Sequence, residues 1–337
     1  MFSLLRILLI NFLTIGLVFP GFTAAAMTLK IATVSPEGAT WMVKMREAAE
    51  DINERTSGRV KFKFYSGGVM GSDDSVLRKI KIGQLHGGAV TGGSLLSVYP
   101  DLSVYSLPFV FRSLEEVDTV RAELDPILIK GLEEAGFVTF GLAEGGFAYL
   151  MSNNKLQTTE ELKQQKIWVV TGDRVSQAVL ESASIAPIPL PLSDVMTGLQ
   201  TGLINTVITS PIGAISLQWH TRVKYFTDAP VAYFFGMLTV NKKVFDKIDP
   251  PDQSIIREVM AKTFTDINAQ NRLDNQAARQ ALKNQGIEFV EISPEILATW
   301  RQASQDATQK LVKEKLVNPD LYRKVQDILT TFRAAKQ

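Results

Sequence analysis

The segments ELKQQKIWVV at residues 161–170 and PIPLPLSDVMTGLQTGLINTVITSP at residues 187–211 alternate short apolar runs with polar turns. Apolar runs of this length bounded by turn residues are typical of strands, and the residues between them have helical spacing. The pattern predicts strands at Ile167–Val170, Ile188–Leu192 and Asn205–Thr209, and helices at Arg174–Ala183 and Ser193–Leu199, with Ser193 as the cap and Gly202 at the end. We therefore expect a small α/β lobe whose strand ends face a crevice.

The start of the chain predicts another lobe of the same kind. Apolar residues alternate with basic ones in Arg59–Tyr65, as in a half-buried strand. The predicted order is a strand at Leu29–Val34, a helix at Thr40–Arg55, a strand at Arg59–Tyr65, a helix beginning at Ser72–Asp74 and a strand at Gly87–Thr91. This order is typical of a parallel, doubly wound sheet.

The remaining segments predict that the chain crosses between the lobes more than once. The predicted elements are a helix at Ile212–Tyr225, a hydrophobic strand at Ala232–Val240, a helix at Pro250–Asn284 and a helical tail from Pro294. The fold class is thus α/β, with two lobes joined by a hinge and a long connecting helix. Lobe I takes residues 27–147 and about 232–270, and lobe II takes residues 148–231 and about 271–337.

The composition is that of a globular chain long enough for two domains, with 337 residues, 45% hydrophobic and 21% charged. Residues 1–26 have the anatomy of a cleaved signal peptide, since Arg6 precedes the apolar run Leu8–Phe19 and alanines follow at 24–26. Removing Arg6 from the 36 basic residues leaves 35, equal to the 35 acidic ones. The signal peptide predicts export to the periplasm, and a neutral chain without basic clusters argues against nucleic acid as a partner.

Residue types that catalysis or metal binding needs are scarce. The sequence has no cysteine, and its two histidines, His86 and His220, lack metal-ligand spacing. No phosphate-binding glycine loop, dinucleotide fingerprint or nucleophile elbow occurs. We therefore expect no catalytic residue, no metal and no cofactor, and a protein that is not an enzyme.

Several motifs resemble those of the solute-binding proteins of tripartite ATP-independent periplasmic (TRAP) transporters. They are Thr56–Val60, Val69–Asp74, Leu107–Phe111, Pro187–Leu190, Asp194–Val195, Gly198–Gly202 and Ile204–Asn205. In order and spacing they cover nearly all of the chain after the signal peptide. The resemblance implies a periplasmic binding protein fold that closes on a small molecule, and membrane permease subunits as partners. Some members of the family also work with a helical-repeat lipoprotein.

The chain departs from the family pattern at Gln165, where the family has glycine, and at Trp168, where it has arginine. In the resembled family, that arginine binds the substrate carboxylate through two hydrogen bonds. An indole has a single N–H donor and cannot neutralise an anion. The departure predicts a neutral or hydrophobic ligand rather than an organic acid.

Matching other family contact positions predicts a pocket that is mostly apolar with a few hydroxyl groups. Phe147–Leu150 replaces a second family arginine, and Thr206–Thr209 replaces a polar cluster. The predicted ligand-binding residues are Trp168, Tyr149, Thr91, Leu192, Thr209, Phe147, Phe235 and Trp41.

Arg174 keeps an alternative open, because it follows Trp168 closely enough to restore an anion site in the cleft. In the simpler interpretation, Arg174 is solvated or pairs with Asp173, and Trp168 packs in the lobe core. Two further hypotheses are a binding protein that docks to a receptor kinase and a periplasmic enzyme.

Overall fold

The computed structural model describes residues 26–336, so the predicted signal peptide lies outside the described residues except for Ala26. The strands are β1 Met27–Thr33, β2 Val60–Tyr65, β3 Gly87–Thr91, β4 Phe137–Thr139, β5 Ala143–Ser152, β6 Trp168–Val170, β7 Ile188–Leu190, β8 Thr206–Thr209, β9 Tyr225–Thr227, β10 Ala232–Asn241 and β11 Glu288–Val290. The α-helices are α1 Thr40–Arg55, α2 Asp73–Lys81, α3 Gly92–Leu95, α4 Leu114–Glu134, α5 Thr159–Lys163, α6 Arg174–Ser182, α7 Val195–Thr201, α8 Pro211–Ser216, α9 Lys242–Phe245, α10 Pro250–Asn284, α11 Pro294–Lys313 and α12 Pro319–Ala334. Short 3₁₀ helices span Pro100–Tyr105, Leu192–Asp194 and Trp219–Arg222.

Two ten-residue strands, β5 and β10, connect the parts of one mixed sheet, whose main order is β11-β9-β5-β10-β3-β1-β2. On one side, β1 lies parallel to both β2 and β3. On the other side, β5 pairs antiparallel with β8 and β9. A separate parallel pair, β6 and β7, is connected to β8 through the bridge between Ile167 and Thr206. The predicted α/β class and the parallel order of the first three strands are confirmed.

Helical periodicity predicted α1 well, because its apolar residues recur at the spacing of one helix face. Met42, Met45, Ala48 and Ile52 are all buried along that face. The long helix α10 begins at Pro250, whose missing N–H costs nothing in a first turn, and Gly286 follows its end with φ +84°. Both helices have the predicted bounds.

The predicted helix Ile212–Tyr225 is wrong. Helix α8 ends at Ser216, and Gln218 then takes a left-handed conformation with φ 59°. That conformation turns the chain so that Trp219 is buried beside Trp168, with ring centroids 5.2 Å apart. Burial of the indole offsets the backbone strain at Gln218, and the apolar residues that suggested a continuous helix belong to separate elements.

Ser193 does not cap the helix that follows it. Residues Leu192–Asp194 form a 3₁₀ helix, and Ser193 Oγ donates to Asp194 Oδ1 instead. Helix α7 therefore begins later than predicted, and Gly202 ends it in the left-handed conformation, as predicted.

The last helix packs on the part of the molecule predicted as lobe I. Leu321, Val325 and Leu329 of α12 share a hydrophobic cluster with residues of α4, and Arg333 Nε lies 2.7 Å from Glu116 Oε1. The lobe boundaries stay a prediction, and this packing favours moving residues 319–334 from lobe II to lobe I.

Candidate functional site

A cavity of about 470 Å³ lies where the carboxyl ends of strands from the two predicted lobes meet. One wall follows β1 and β3, at Thr33–Ser35 and Thr91–Gly93. The facing wall contains the end of β6 at Val170 and the end of β8 at Thr209. Crevices at the carboxyl ends of parallel strands are the usual ligand sites of open α/β sheets.

Two glycines at the start of α3 allow close approaches, one within its own wall and one to the facing wall. A Cβ atom at Gly92 would lie 2.5 Å from the ring of Phe235, so only glycine fits there. A Cβ atom at Gly93 would lie 3.5 Å from Oδ2 of Asp173, on the opposite wall. The start of α3 therefore touches the turn before α6 across the cavity.

Counting Arg174 with the eight predicted contacts, six of the nine candidate residues line this cavity. They are Trp41, Thr91, Trp168, Leu192, Thr209 and Phe235. They lie far apart in the sequence, and the fold brings them together at the cleft. Trp41, Thr91, Leu192 and Thr209 lie at a strand end or a helix start, whereas Trp168 begins β6 and Phe235 lies within β10.

Trp168 lines the cavity but is also a core residue. Its side chain is 3% exposed, and its Nε1 donates to the carbonyl oxygen of Leu190 at 2.9 Å. Since the single indole donor is used by the neighbouring strand, Trp168 offers the cavity an apolar surface and no polar group.

The hydroxyl group of Thr91 is already bound within its own wall. Thr91 Oγ1 donates to Asp73 Oδ2 at 2.9 Å and accepts from the backbone N–H of Ser94. Ser94 Oγ also donates to Asp73, whose carboxyl pKa is raised by burial. Thr91 thus organises the start of α3, where the chain approaches Phe235.

Tyr149 was predicted to line the cavity, but it points away from the cavity and the neighbouring residue takes that place. Its ring packs against Phe226 with centroids 4.6 Å apart, under the guanidinium group of Arg279. Successive side chains of a strand point to opposite faces, so the next residue, Leu150, lines the cavity instead.

Phe147 and Arg174 are also outside the cavity lining. Phe147 packs edge-on against Tyr233, with centroids 6.2 Å apart. Arg174 is exposed to solvent at the start of α6, whereas Asp173 uses its carboxylate to cap that helix through Ser176. The structure therefore supports the simpler interpretation of Arg174 and not the anion site.

No lysine, arginine or histidine is found among the lining residues in the described part of the chain. The ionisable lining residues are Glu144, Asp173 and Asp274. Glu144, 1% exposed, is paired with Arg272 at 2.8 Å, and Asp274 accepts from Thr40 Oγ1 at 2.9 Å. Burial raises the pKa of the Asp173 carboxyl.

Sequence reasoning missed a further wall made by helices α5, α6 and α11. Its members include Thr159, Leu162, Val179, Leu180, Ala183, Thr299, Trp300, Ala303 and Ser304. Their amphipathic spacing indicated helices with a buried face, but nothing in that spacing distinguishes a face on a core from a face on a cavity.

Within residues 26–336, the structure contains no helix long and apolar enough to cross a membrane and no group of three or more candidate metal ligands. The cleft between two α/β walls, with its mostly apolar lining, defines the class of a small-molecule binding protein.

The sequence matches the family described as bacterial extracellular solute-binding protein, family 7, over residues 31–315. The chain belongs to this family, which confirms the resemblance to the TRAP solute receptors. It is 24% identical over 278 residues, 81% of each chain, to the C4-dicarboxylate-binding periplasmic protein DctP of Rhodobacter capsulatus.

Solved structures share the fold across most of both chains. A sugar acid binding protein of Advenella mimigardefordensis in complex with galactonate has a TM-score of 0.85 at 18% identity, covering 91% of this chain and 99% of that chain. A TRAP periplasmic solute binding protein of Xanthobacter autotrophicus Py2 with bound β-D-galacturonate has a TM-score of 0.82 at 20% identity, covering 90% and 99%. The two-lobed fold is thus confirmed, and the protein is a solute receptor of the TRAP type.

Proposed function

We propose that this receptor binds an uncharged, largely apolar molecule in its cleft and passes it to the permease subunits of a TRAP transporter. Export to the periplasm by a cleaved signal peptide, closure of the two lobes about a hinge and the absence of catalytic activity are parts of the same proposal. A helical-repeat lipoprotein is a candidate second partner. Binding favours the closed arrangement if the ligand touches both walls.

The observation that carries the proposal is the charge of the cavity lining. Its ionisable residues in the described part of the chain are all carboxylates, and none is a cation. Burying a carboxylate ligand without a partner costs several kcal/mol, which removes useful affinity. A cationic ligand is not favoured either, because Glu144 already has Arg272 as a partner.

The names of the relatives describe acids: a C4-dicarboxylate, galactonate and galacturonate. This chain differs from the resembled pattern at Trp168, and its exposed Arg174 does not supply the missing charge at the cavity. We therefore assign it a different ligand class from those relatives.

The proposed ligand contacts are Trp41, Thr91, Trp168, Leu192, Thr209 and Phe235. Several lining hydroxyl groups make no side-chain hydrogen bond within residues 26–336, among them Ser35 on the first wall and Thr209 on the second. Ser35 and Thr209 are the expected partners for an uncharged polar group of the ligand. The other five contacts supply mainly apolar surface or a hydroxyl group that is already bonded.

The proposal is tested by mass spectrometry of the compound that co-purifies with the protein, followed by titrations of the ligand-free protein. The titrations compare pairs that differ in charge, namely succinate with succinamide and galacturonate with its methyl ester. We expect the released compound to be uncharged and each acid to bind no better than its uncharged counterpart.

Tight binding of either acid would contradict the proposal. Arg174→Ala then separates two cases, since an acid site built on Arg174 would be lost in this variant and a site elsewhere would survive.

A further inference from the structure

Helix α6 faces the cavity along its whole length. Its lining residues are Asp173, Ser176, Val179, Leu180 and Ala183, which recur at the spacing of one helix face. At 1.5 Å per residue, this face is about 15 Å long. Asp173 lies at the cleft, where it approaches Gly93, and Ala183 lies at the far end. The cavity is therefore elongated and continues well beyond the cleft.

The wall opposite α6 is one face of the second-lobe strands. Leu150 of β5 and Ile208 of β8 are direct cross-strand partners, so they point to the same face. Ile167 and Val169 alternate with Trp168 and share that face, opposite the Trp168–Trp219 contact. We call the space between this face and helices α5, α6 and α11 the rear compartment.

Three aliphatic side chains of the rear compartment are shielded from water without belonging to a hydrophobic cluster, whereas Leu150, Leu162 and Ile208 pack together with Trp300. Ile167, Val169 and Ile185 are 0%, 5% and 2% exposed, yet none of them is a member of the four hydrophobic clusters of the described residues. Each borders the cavity instead. Aliphatic atoms that line a cavity gain dispersion contacts from an apolar occupant, so such an occupant is favoured there.

The hydroxyl groups that α5, α6 and α11 contribute are already hydrogen-bonded within the protein. Thr159 Oγ1 accepts from Trp300 Nε1 at 3.0 Å, and Ser176 Oγ donates to Asp173 Oδ2 at 2.6 Å. Ser304 Oγ donates to the carbonyl oxygen of Pro108 at 3.0 Å, and Thr299 Oγ1 donates to that of Glu295. A polar occupant would find these groups engaged, whereas a hydrocarbon chain needs none of them.

We propose that the ligand is an amphipathic molecule with an unbranched hydrocarbon chain, and that the chain lies in the rear compartment along α6. This inference rests on the proposed function, because it assigns a chemical class to the uncharged ligand of the same cavity. The uncharged polar end lies in the cleft, between Ser35 and Thr209.

The test titrates ligand-free protein with the series butanol, hexanol, octanol, decanol and dodecanol. All four tryptophans, Trp41, Trp168, Trp219 and Trp300, line the cavity, so intrinsic fluorescence reports binding. Burial of one methylene group predicts an affinity gain of about fourfold per carbon. The gain ends once the chain passes Ala183, because additional methylene groups then remain in water.

Ala183→Phe shortens the compartment at its far end. We expect the affinity gain to stop at a shorter chain, with the binding of butanol unchanged. The matched control is Ala186→Phe, because Ala186 is exposed and does not line the cavity. It should reproduce the wild-type series.

The chain-length series in the unaltered protein decides the inference even if Ala183→Phe does not fold. An affinity independent of chain length, or equal effects of Ala183→Phe and Ala186→Phe, would overturn it. If succinamide binds but the alcohol series shows no dependence on chain length, the rear compartment is overturned and the proposed function stands. Tight binding of succinate would overturn the proposed function itself.

Discussion

Helices α10 and α6 border the same cavity, but they contact the strands around it in opposite ways. Asn268 and Asn271 of α10 donate side-chain hydrogen bonds to the backbone of the crossing strand region, at Leu142 O and Glu144 O. Arg272 pairs with the buried carboxylate of Glu144. Along α6, by contrast, Val179, Leu180 and Ala183 face an apolar space.

The difference indicates that the two sides of the cavity have different roles. Hydrogen bonds and ion pairs are directional, so the α10 side sets the position of β5 where the chain crosses between the predicted lobes. Apolar contacts are not directional, so the α6 side can accept an occupant without leaving polar groups unpaired. Variants on each side should therefore fail in different ways.

The largest effect is expected for Arg272→Met. The substitution leaves Glu144 buried with Arg121, at 3.8 Å, as its remaining ion-pair partner among the described residues. Losing one partner of a buried ion pair typically costs about 3 kcal/mol or more. Urea unfolding should show a loss of this size in the free energy of unfolding. The control Arg323→Met removes an exposed pair with Asp320 and should change little.

An intermediate effect on stability is expected when an alanine is replaced by leucine. The sign of the effect should differ between a core site and a cavity site. Ala48 lies in the close-packed core under α1, so Ala48→Leu should cost about 1–3 kcal/mol through overpacking. Ala183→Leu adds atoms to an apolar space and should raise the stability of the ligand-free protein by about 0.5–1 kcal/mol. A loss of stability in both variants would mean that the α6 side is as closely packed as the core.

The smallest effect is expected for Asp173→Asn and depends on pH. Burial raises the carboxyl pKa of Asp173 in the folded state, so its stabilising contribution is present at low pH and is lost as pH rises through that pKa. Asparagine keeps the helix cap but does not titrate. The difference in melting temperature, variant minus wild type, should therefore grow from about pH 4, the ordinary Asp pKa, towards neutrality. A difference in melting temperature that stays constant across this pH range would contradict a raised pKa for the Asp173 carboxyl.

Much of the fold followed from local patterns, and the failures occurred where a contact distant in sequence decided the conformation. The bounds of α1 and α10 matched, because periodicity and end residues are local signals. The predicted helix Ile212–Tyr225 failed because Trp219 packs on Trp168, which no pattern within the segment indicates.

The site was predicted only in part, again because some of its features depend on contacts that are distant in the sequence. Two of the predicted contacts at strand ends, Thr91 and Thr209, do line the cavity, since strand ends meet at one edge of a sheet. Tyr149 was wrong because its strand face depends on register, and a shift of one residue reverses the face. Arg174 was left open because the direction of an exposed arginine has no local signal.

The amino-acid sequence by itself determined the fold class, the family and the tryptophan in place of a charged contact, because these depend on residue types and on short-range order. Only the tertiary structure decided that Trp168 uses its N–H within the sheet, that the lining contains no cation among the described residues, and that α6 and α11 enclose a rear compartment. The physical reason is that a cavity is bounded by residues from many segments, and their packing sets its shape and charge.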